Sequence, residues 1–172
     1  MRCWATLLVP CLIVLGCSRS EEVCTTTIPA KRFDAIDLQQ LEQDVTAIDL
    51  YLAQQQIVTQ PEAHGVRYRV TRVGDSEATP CLESEVYFTY RGRLMETGVT
   101  FDSAASPIHY RLENLILGWQ LVLPRLTKGS DVTVFVPSEF AYGATVIRDN
   151  QGKVIIPSHA NLIFEISLKD FR

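Results

Sequence analysis

Few side chains in this 172-residue sequence have the types and spacing for covalent chemistry. His64, His109 and His159 are scattered, and no Ser/His/Asp constellation is recognisable around them. That pattern fits surface or structural histidines better than a catalytic triad. No Cys-x-x-Cys occurs among the five cysteines, which argues against a thioredoxin-like or zinc site. The stretch that stands out is apolar instead. Residues 114–126, Asn-Leu-Ile-Leu-Gly-Trp-Gln-Leu-Val-Leu-Pro-Arg-Leu, carry one of the two tryptophans. Leu115, Ile116, Trp119 and Val122 or Leu123 recur at helical spacing, so a short buried helix is expected there, ended or kinked at Pro124. A buried tryptophan offers a large flat apolar surface whose indole N–H wants a partner. Such a helix is either core filler or the floor of a binding surface, and its flanks decide between the two.

Upstream, residues 36–57 are helical in pattern, with Leu38, Leu41, Val45, Ile48 and Leu52 making one apolar stripe. Asp34 or Asp37 is placed to cap the start, and acidic residues in the first turns suit the macrodipole. The stripe must bury against the following domain or a second copy of the chain, and packing on its own domain is preferred. From Gly65 the period becomes two. Val66, Tyr68 and Val70 alternate with Arg67, Arg69 and Thr71, and Val86, Phe88 and Tyr90 mark a second strand. Gly92 and Gly98 punctuate a turn before Phe101-Asp-Ser103, and residues 107–112 alternate again. Lys128-Gly-Ser130 turns the chain into a strand over 132–136; residues 140–157 read as one long loop and 162–168 as the closing strand. Strands, one short helix, then strands indicate an α+β fold: a curved antiparallel β-sheet wrapped round one short helix, preceded by an N-terminal helix.

A net charge of −4 and the lack of any Lys/Arg run argue against nucleic acid as a partner. Residues 1–16 combine a short positive start with an apolar run too short to span a bilayer, the pattern of a secretory signal peptide. Ile13-Val-Leu-Gly-Cys17 resembles a bacterial lipoprotein lipobox. By that resemblance, cleavage precedes Cys17, whose thiol carries diacylglycerol and anchors the chain to a membrane of the cell envelope. Residues 17–35 are then a polar tether, 36–60 the N-terminal helix, and 64–172 the main domain. Cys3 and Cys11 leave with the signal, so Cys24 and Cys81 remain as one pair in a compartment that permits disulfides, with their pairing left open.

From 86 to 171 the chain carries, in order, Tyr90-Arg-Gly-Arg-Leu94, Gly98, Phe101-Asp-Ser103, Ile116-Leu-Gly-Trp119, Gly129, Val136-Pro137, Ala141-Tyr-Gly143, Ile156-Pro157 and Ala160-Asn-Leu-Ile-Phe164. Each is weak alone. Together, at nearly the family's spacing, they resemble the FKBP-type peptidyl-prolyl cis-trans isomerases, and the lipobox and preceding helix look like that family's envelope lipoprotein members. The resemblance implies an enzyme without cofactor, metal or nucleophile that acts on X-Pro-containing polypeptides and assists folding of exported proteins. Macrolide inhibitors are implied as further ligands. Carried over residue by residue, Trp119 is the pocket floor, with Tyr90, Phe101, Asp102, Tyr142 and Phe164 as the other catalytic residues. Ile108, Tyr110, Leu115, Ile116, Ile155 and Ile156 are implied as substrate-binding residues. The Ile116 N–H and the Tyr142 hydroxyl would reach substrate carbonyls, and Asp102 would stand at the rim.

The chain also departs from the family pattern. The segment between Ser103 and Pro107 is short and lacks an arginine to pair with the aspartate, and Ile108 stands where an aromatic residue is common. Two residues are missing between Leu112 and Asn114, and Arg148-Asp-Asn-Gln-Gly-Lys153 is inserted after Gly143. Those changes bear on substrate preference and macrolide affinity more than on the floor. The competing readings are a non-catalytic FKBP-fold chaperone or binding module of the envelope, and a structural lipoprotein using the fold as a scaffold.

Overall fold

The computed structural model describes residues 24–61 and 64–172. The signal expected over 1–16 and the lipidation site Cys17 lie outside the described residues. The N-terminal periodicity becomes helix α1, Leu38–Gln54. Asp37 caps it, its carboxylate accepting from the N–H groups of Gln39 (2.9 Å) and Gln40 (3.1 Å). No acidic residue stands in the first turn, contrary to expectation, so the cap carboxylate itself meets the positive end of the macrodipole. The apolar stripe buries on the chain's own sheet. Ile48 and Leu52 cluster with Phe135 and Ile163, while Leu38 in the first turn stays 76% exposed. Burying two such aliphatic side chains stabilises this docking by roughly 3–6 kcal/mol. On the same face Asp44 is buried, its carboxylate accepting from the Ser138 hydroxyl at 2.6 Å and from Gln40 Nε2 at 2.9 Å.

The strands are β1 (Gln60–Pro61), β2 (Arg67–Arg72), β3 (Glu85–Leu94), β4 (Thr100–Arg111), β5 (Asp131–Val136), β6 (Ile147–Arg148), β7 (Val154–Ile156) and β8 (Leu162–Phe171). Six form one antiparallel sheet in the order β1-β2-β5-β8-β3-β4, and β6-β7 is a separate hairpin. The architecture is the α+β arrangement the sequence indicates, with three local differences. Gly92 is not in a turn but within β3, near its end and facing Asp102 of β4. The turn lies beyond it, closed by Gly98 N–H on Leu94 O at 2.8 Å. Second, β4 runs unbroken from Thr100 to Arg111, and the irregularity around Ser106 and Pro107 is a bulge between the pairs Tyr90–Ala104 and Phe88–Ile108. An edge strand tolerates such a bulge and its proline because nothing pairs with its outer side. Third, the stretch expected as a long loop over 140–157 contains the β6-β7 hairpin.

Helix α2, Leu117–Val122, fills the concavity of the sheet. It is shorter than its apolar run, because Leu123–Arg125 closes it as a 3-10 turn holding Pro124, and Leu112–Asn114 precedes it as another. Leu115 and Ile116 between them are extended, with Ile116 as the helix cap (ψ 151°). A β-carbon on Gly118 would stand 2.4 Å from Val136 Cγ1, so only glycine lets α2 approach β5 this closely. The described part of the expected tether lies along the domain: Ile28 enters the main core, and Leu82 N–H donates to Thr25 O at 2.9 Å.

Candidate active site

Alternation on β3 and β8 sends Phe88, Tyr90 and Phe164 into the concavity, where α2 raises Trp119 among them. Trp119 is 4% exposed and meets all three rings nearly perpendicular: Phe88 at 5.0 Å and 75°, Tyr90 at 5.6 Å and 80°, Phe164 at 5.2 Å and 88°. Edge-to-face contacts of this kind hold the indole plane in one orientation. Phe101 from β4 adds a fourth ring, perpendicular to Phe164 at 5.7 Å. The missing side chain of Gly92 makes room for that wall, since a β-carbon there would stand 2.6 Å from Phe101 Cζ and 2.9 Å from Phe164 Cε1.

Above the floor opens a cavity of about 110 Å³. Its lining brings together all six expected catalytic residues, Tyr90, Phe101, Asp102, Trp119, Tyr142 and Phe164, with Ile108, Tyr110, Leu115 and Ile116. Ile155 and Ile156 are not part of the lining. Ile156 is buried in the core, opposite Ile147 in the hairpin, and Ile155 packs half-buried against that core. Phe88 lines the cavity without having been singled out from the sequence; its alternation with Tyr90 was the available signal.

Two lips of the pocket are held by polar clamps. Gln120, buried within α2, donates from Nε2 to Glu113 O (2.9 Å) and Leu115 O (2.6 Å). This pins the turn before Ile116, whose own N–H precedes the first helical turn and stands outside its hydrogen-bond ladder. A glutamine inside so apolar a run was the clue to this role. On the other lip, Ser138 N–H donates to Asn161 Oδ1 (3.0 Å), Gly143 N–H to Ser138 O (2.8 Å) and His159 N–H to Gly143 O (2.8 Å). Gly143 adopts φ +54°, and Tyr142 is carried on this braced turn, 37% exposed.

The phenols are donors at neutral pH. Burial raises the Tyr142 pKa, and the charge of Asp102 raises it further. Burial pushes Tyr90 well above the usual phenol range, helped by the hydrogen bond its hydroxyl donates to Asp102 Oδ2. Asp102 Oδ1 accepts in turn from the Ser103 N–H at 2.8 Å, so the one carboxylate lining the cavity is fixed at its mouth. Among the described residues no group of three or more His, Cys, Asp or Glu side chains is placed to hold a metal ion. An apolar recess with an aromatic floor, one oriented carboxylate and hydroxyl and N–H donors at the edge can bind a small ring and sense the charge separation of an adjoining amide.

The family profile of the FKBP-type peptidyl-prolyl cis-trans isomerases matches residues 76–169, more than half of the sequence. The chain belongs to that family. Within it, the chain is similar to the peptidyl-prolyl cis-trans isomerase Mip of Coxiella burnetii, with 37% identity over 109 residues, covering 62% of this chain and 44% of Mip. It is also similar to the FKBP-type isomerase FkpA of Buchnera aphidicola, with 32% identity over 111 residues, covering 63% of this chain and 41% of the relative. The chain thus spans less than half the length of these curated relatives. Among solved structures, a peptidyl-prolyl cis-trans isomerase from Pseudomonas syringae superposes with a TM-score of 0.63 at 27% identity, covering 76% of this chain and 94% of that one. FkpA from Escherichia coli does so with 0.62 at 26% identity, covering 78% and 62%. Those likenesses agree with an FKBP-type sheet wrapped round one helix.

Proposed function

We propose that the cavity over Trp119 catalyses cis–trans rotation about X-Pro bonds of polypeptides. Rotation about a peptide bond faces a barrier of roughly 18–20 kcal/mol, and X-Pro bonds exchange over tens of seconds or longer, slow enough to limit folding. The twisted transition state has lost amide resonance, so its carbonyl and nitrogen carry less separated charge than the planar ground state. A dry apolar pocket favours that form relative to water, which is catalysis by differential binding. In this reading Trp119 seats the proline ring, Phe88, Phe101 and Phe164 exclude water, and the Ile116 N–H and Tyr142 hydroxyl hold substrate carbonyls. Tyr90 fixes Asp102 beside the rotating amide. The observation that carries the proposal is the gathering of ten expected positions, scattered from 90 to 164 in sequence, round one small apolar cavity.

The test is proline-limited refolding of a reporter protein with and without the full chain. Acceleration at substoichiometric chain supports the isomerase. A folded chain that binds the reporter without accelerating it would instead make this a non-catalytic chaperone.

The setting of that activity is part of the same proposal: an exported chain, held to an envelope membrane through lipidated Cys17, acting on exported proteins. Its support is Ile13-Val-Leu-Gly-Cys17 behind an apolar run. Among the described residues no helix is long and apolar enough to cross a membrane. Labelled fatty acid should enter the wild-type chain and not the Cys17→Ala variant; label in both, or in neither, contradicts the anchor. Macrolide inhibitors belong to this proposal as competitors for the cavity.

A further inference from the structure

We propose that Cys24 and Cys81 form an intramolecular disulfide that fastens the N-terminal strap to the edge of the domain. Both thiols are free and reachable, Cys24 exposed and Cys81 half-buried. The backbone brings them side by side. Leu82 N–H donates to Thr25 O at 2.9 Å and Thr25 N–H donates to Glu83 Oε2 at 3.3 Å, so the residues following each cysteine are already joined. A hydrogen bond with the Cys81 side chain is the main reason the Cys24 thiol is pushed up to about 11. Cys81 is itself held in place, its N–H donating to Ser84 Oγ at 3.2 Å and its Sγ lying 3.4 Å from the same oxygen.

The strap between Cys24 and the Asp37 cap of α1 is anchored mainly at its far end, where Phe33 stacks on His64 at 4.9 Å, Ile36 packs on the main core and Asp37 N–H donates to Glu139 Oε2 at 2.9 Å. Ile28 is in the core, and Arg32 Nη1 donates to Glu113 O at 3.4 Å. Glu113 N–H in turn donates to Leu82 O at 2.8 Å, so strap, the 81–84 turn and the turn leading to Ile116 form one layer beside the pocket.

Oxidation is a thiol–disulfide exchange with a small-molecule disulfide as oxidant. One cysteine thiolate attacks the oxidant and expels the first small thiol, giving a mixed disulfide. The second cysteine, as thiolate, then attacks the bound protein sulfur and expels the other small thiol. The chain loses two protons and two electrons, the electrons reducing the oxidant to two thiols, and one Cys24 Sγ–Cys81 Sγ bond is made. The bond carries any pull on the N-terminal end directly into the loop before β3, ahead of the anchors at Ile28, Arg32 and Phe33. That mechanical consequence rests on the anchor proposed at Cys17; the cross-link itself does not.

The full chain, equilibrated with oxidised glutathione, alkylated and digested with trypsin without reductant, should yield peptide 20–31 joined to peptide 73–91, lighter by two hydrogens than the sum of the two. The joined species should vanish on reduction and in both Cys24→Ser and Cys81→Ser. The oxidised chain should unfold on the order of 10 °C above the reduced chain. Recovery of both peptides alkylated after oxidation, or of two 20–31 peptides joined to each other, would overturn the proposal. So would an intact cross-link that leaves the unfolding midpoint unchanged.

Discussion

The two faces of one sheet differ in what their side chains have left to offer. On the outer face, Arg91 and Arg93 both pair with Glu165, at 2.6 and 3.0 Å, and Arg72 pairs with Asp131 at 2.8 Å while Ser167 Oγ stands 2.5 Å from the same carboxylate. The groove that Arg91, Asp131, Glu165 and Ser167 line is the roomier one, about 580 Å³. Yet its charges are spent on one another, and pairs this exposed contribute at most about 1 kcal/mol each. On the inner face, one residue earlier on the same strands, Tyr90 and Phe164 border a cavity of about 110 Å³ with Asp102 as its one carboxylate. Size does not mark the site. What marks it is an apolar floor held rigid by perpendicular rings, whose own donor, the buried Trp119 indole N–H, has no partner among the described residues, with the other donors at the lips.

The contrast can be broken most severely at its floor. Trp119→Ala removes the surface that Phe88, Tyr90 and Phe164 brace, and an aromatic deletion of this kind costs about 3–5 kcal/mol of stability. Isomerase activity should fall by at least about 100-fold, an activation difference of roughly 2.7 kcal/mol. Denaturant unfolding and refolding kinetics on the same preparation separate the two effects. Next comes Gly92→Val, which forces a side chain into Phe101 and Phe164 and should destabilise by roughly 1–3 kcal/mol through overpacking. Activity measured where the variant is fully folded should drop while the outer ion pairs stay intact.

Tyr90→Phe tests the link to Asp102 with a smaller effect. Because the folded-state pKa of Tyr90 is raised, its contribution to stability is fully present below the ordinary phenol value of about 10 and is lost as pH rises through the raised one. The wild type should therefore lose stability more steeply than Tyr90→Phe above about pH 10, with the two curves running parallel near neutrality. The smallest effect on activity belongs to the other face: Glu165→Gln, which weakens two pairs, should change stability by no more than about 2 kcal/mol and leave the isomerase rate unchanged. A large loss of activity in Glu165→Gln would erase the distinction between the faces.

More of the candidate site than of the fold's detail was legible in the sequence. Trp119, Phe101 and Tyr142 sit in short motifs whose joint order is specific, and the cavity gathers them. Period-two alternation identified β2, β3, β5 and β8, and the stripe on α1 found its own sheet through Ile48 and Leu52. The misses have physical causes. Gly92 looked like a turn because glycine's commonest use is conformational, whereas here its use is steric: two phenylalanines occupy the space of its side chain. The bulge in β4 is set by pairing across to β3, which no local pattern reports. The residues that brace the lips, Gln120, Asn161, Asp44 and Ser138, act through partners up to 94 positions away. Polar clamps of that range have no periodicity to betray them, although a buried polar residue in an apolar run is a hint.

The central claim is that the inner cavity turns X-Pro bonds over. Exchange NMR of a short X-Pro peptide, whose cis and trans forms give separate resonances, tests it most directly. With a small fraction of an equivalent of the chain, cross-peaks between the two forms should appear that the free peptide lacks; they should persist with Glu165→Gln and disappear with Trp119→Ala. Peptide that binds at the cavity while its two forms remain without exchange, or exchange that survives Trp119→Ala in a folded chain, would contradict the account.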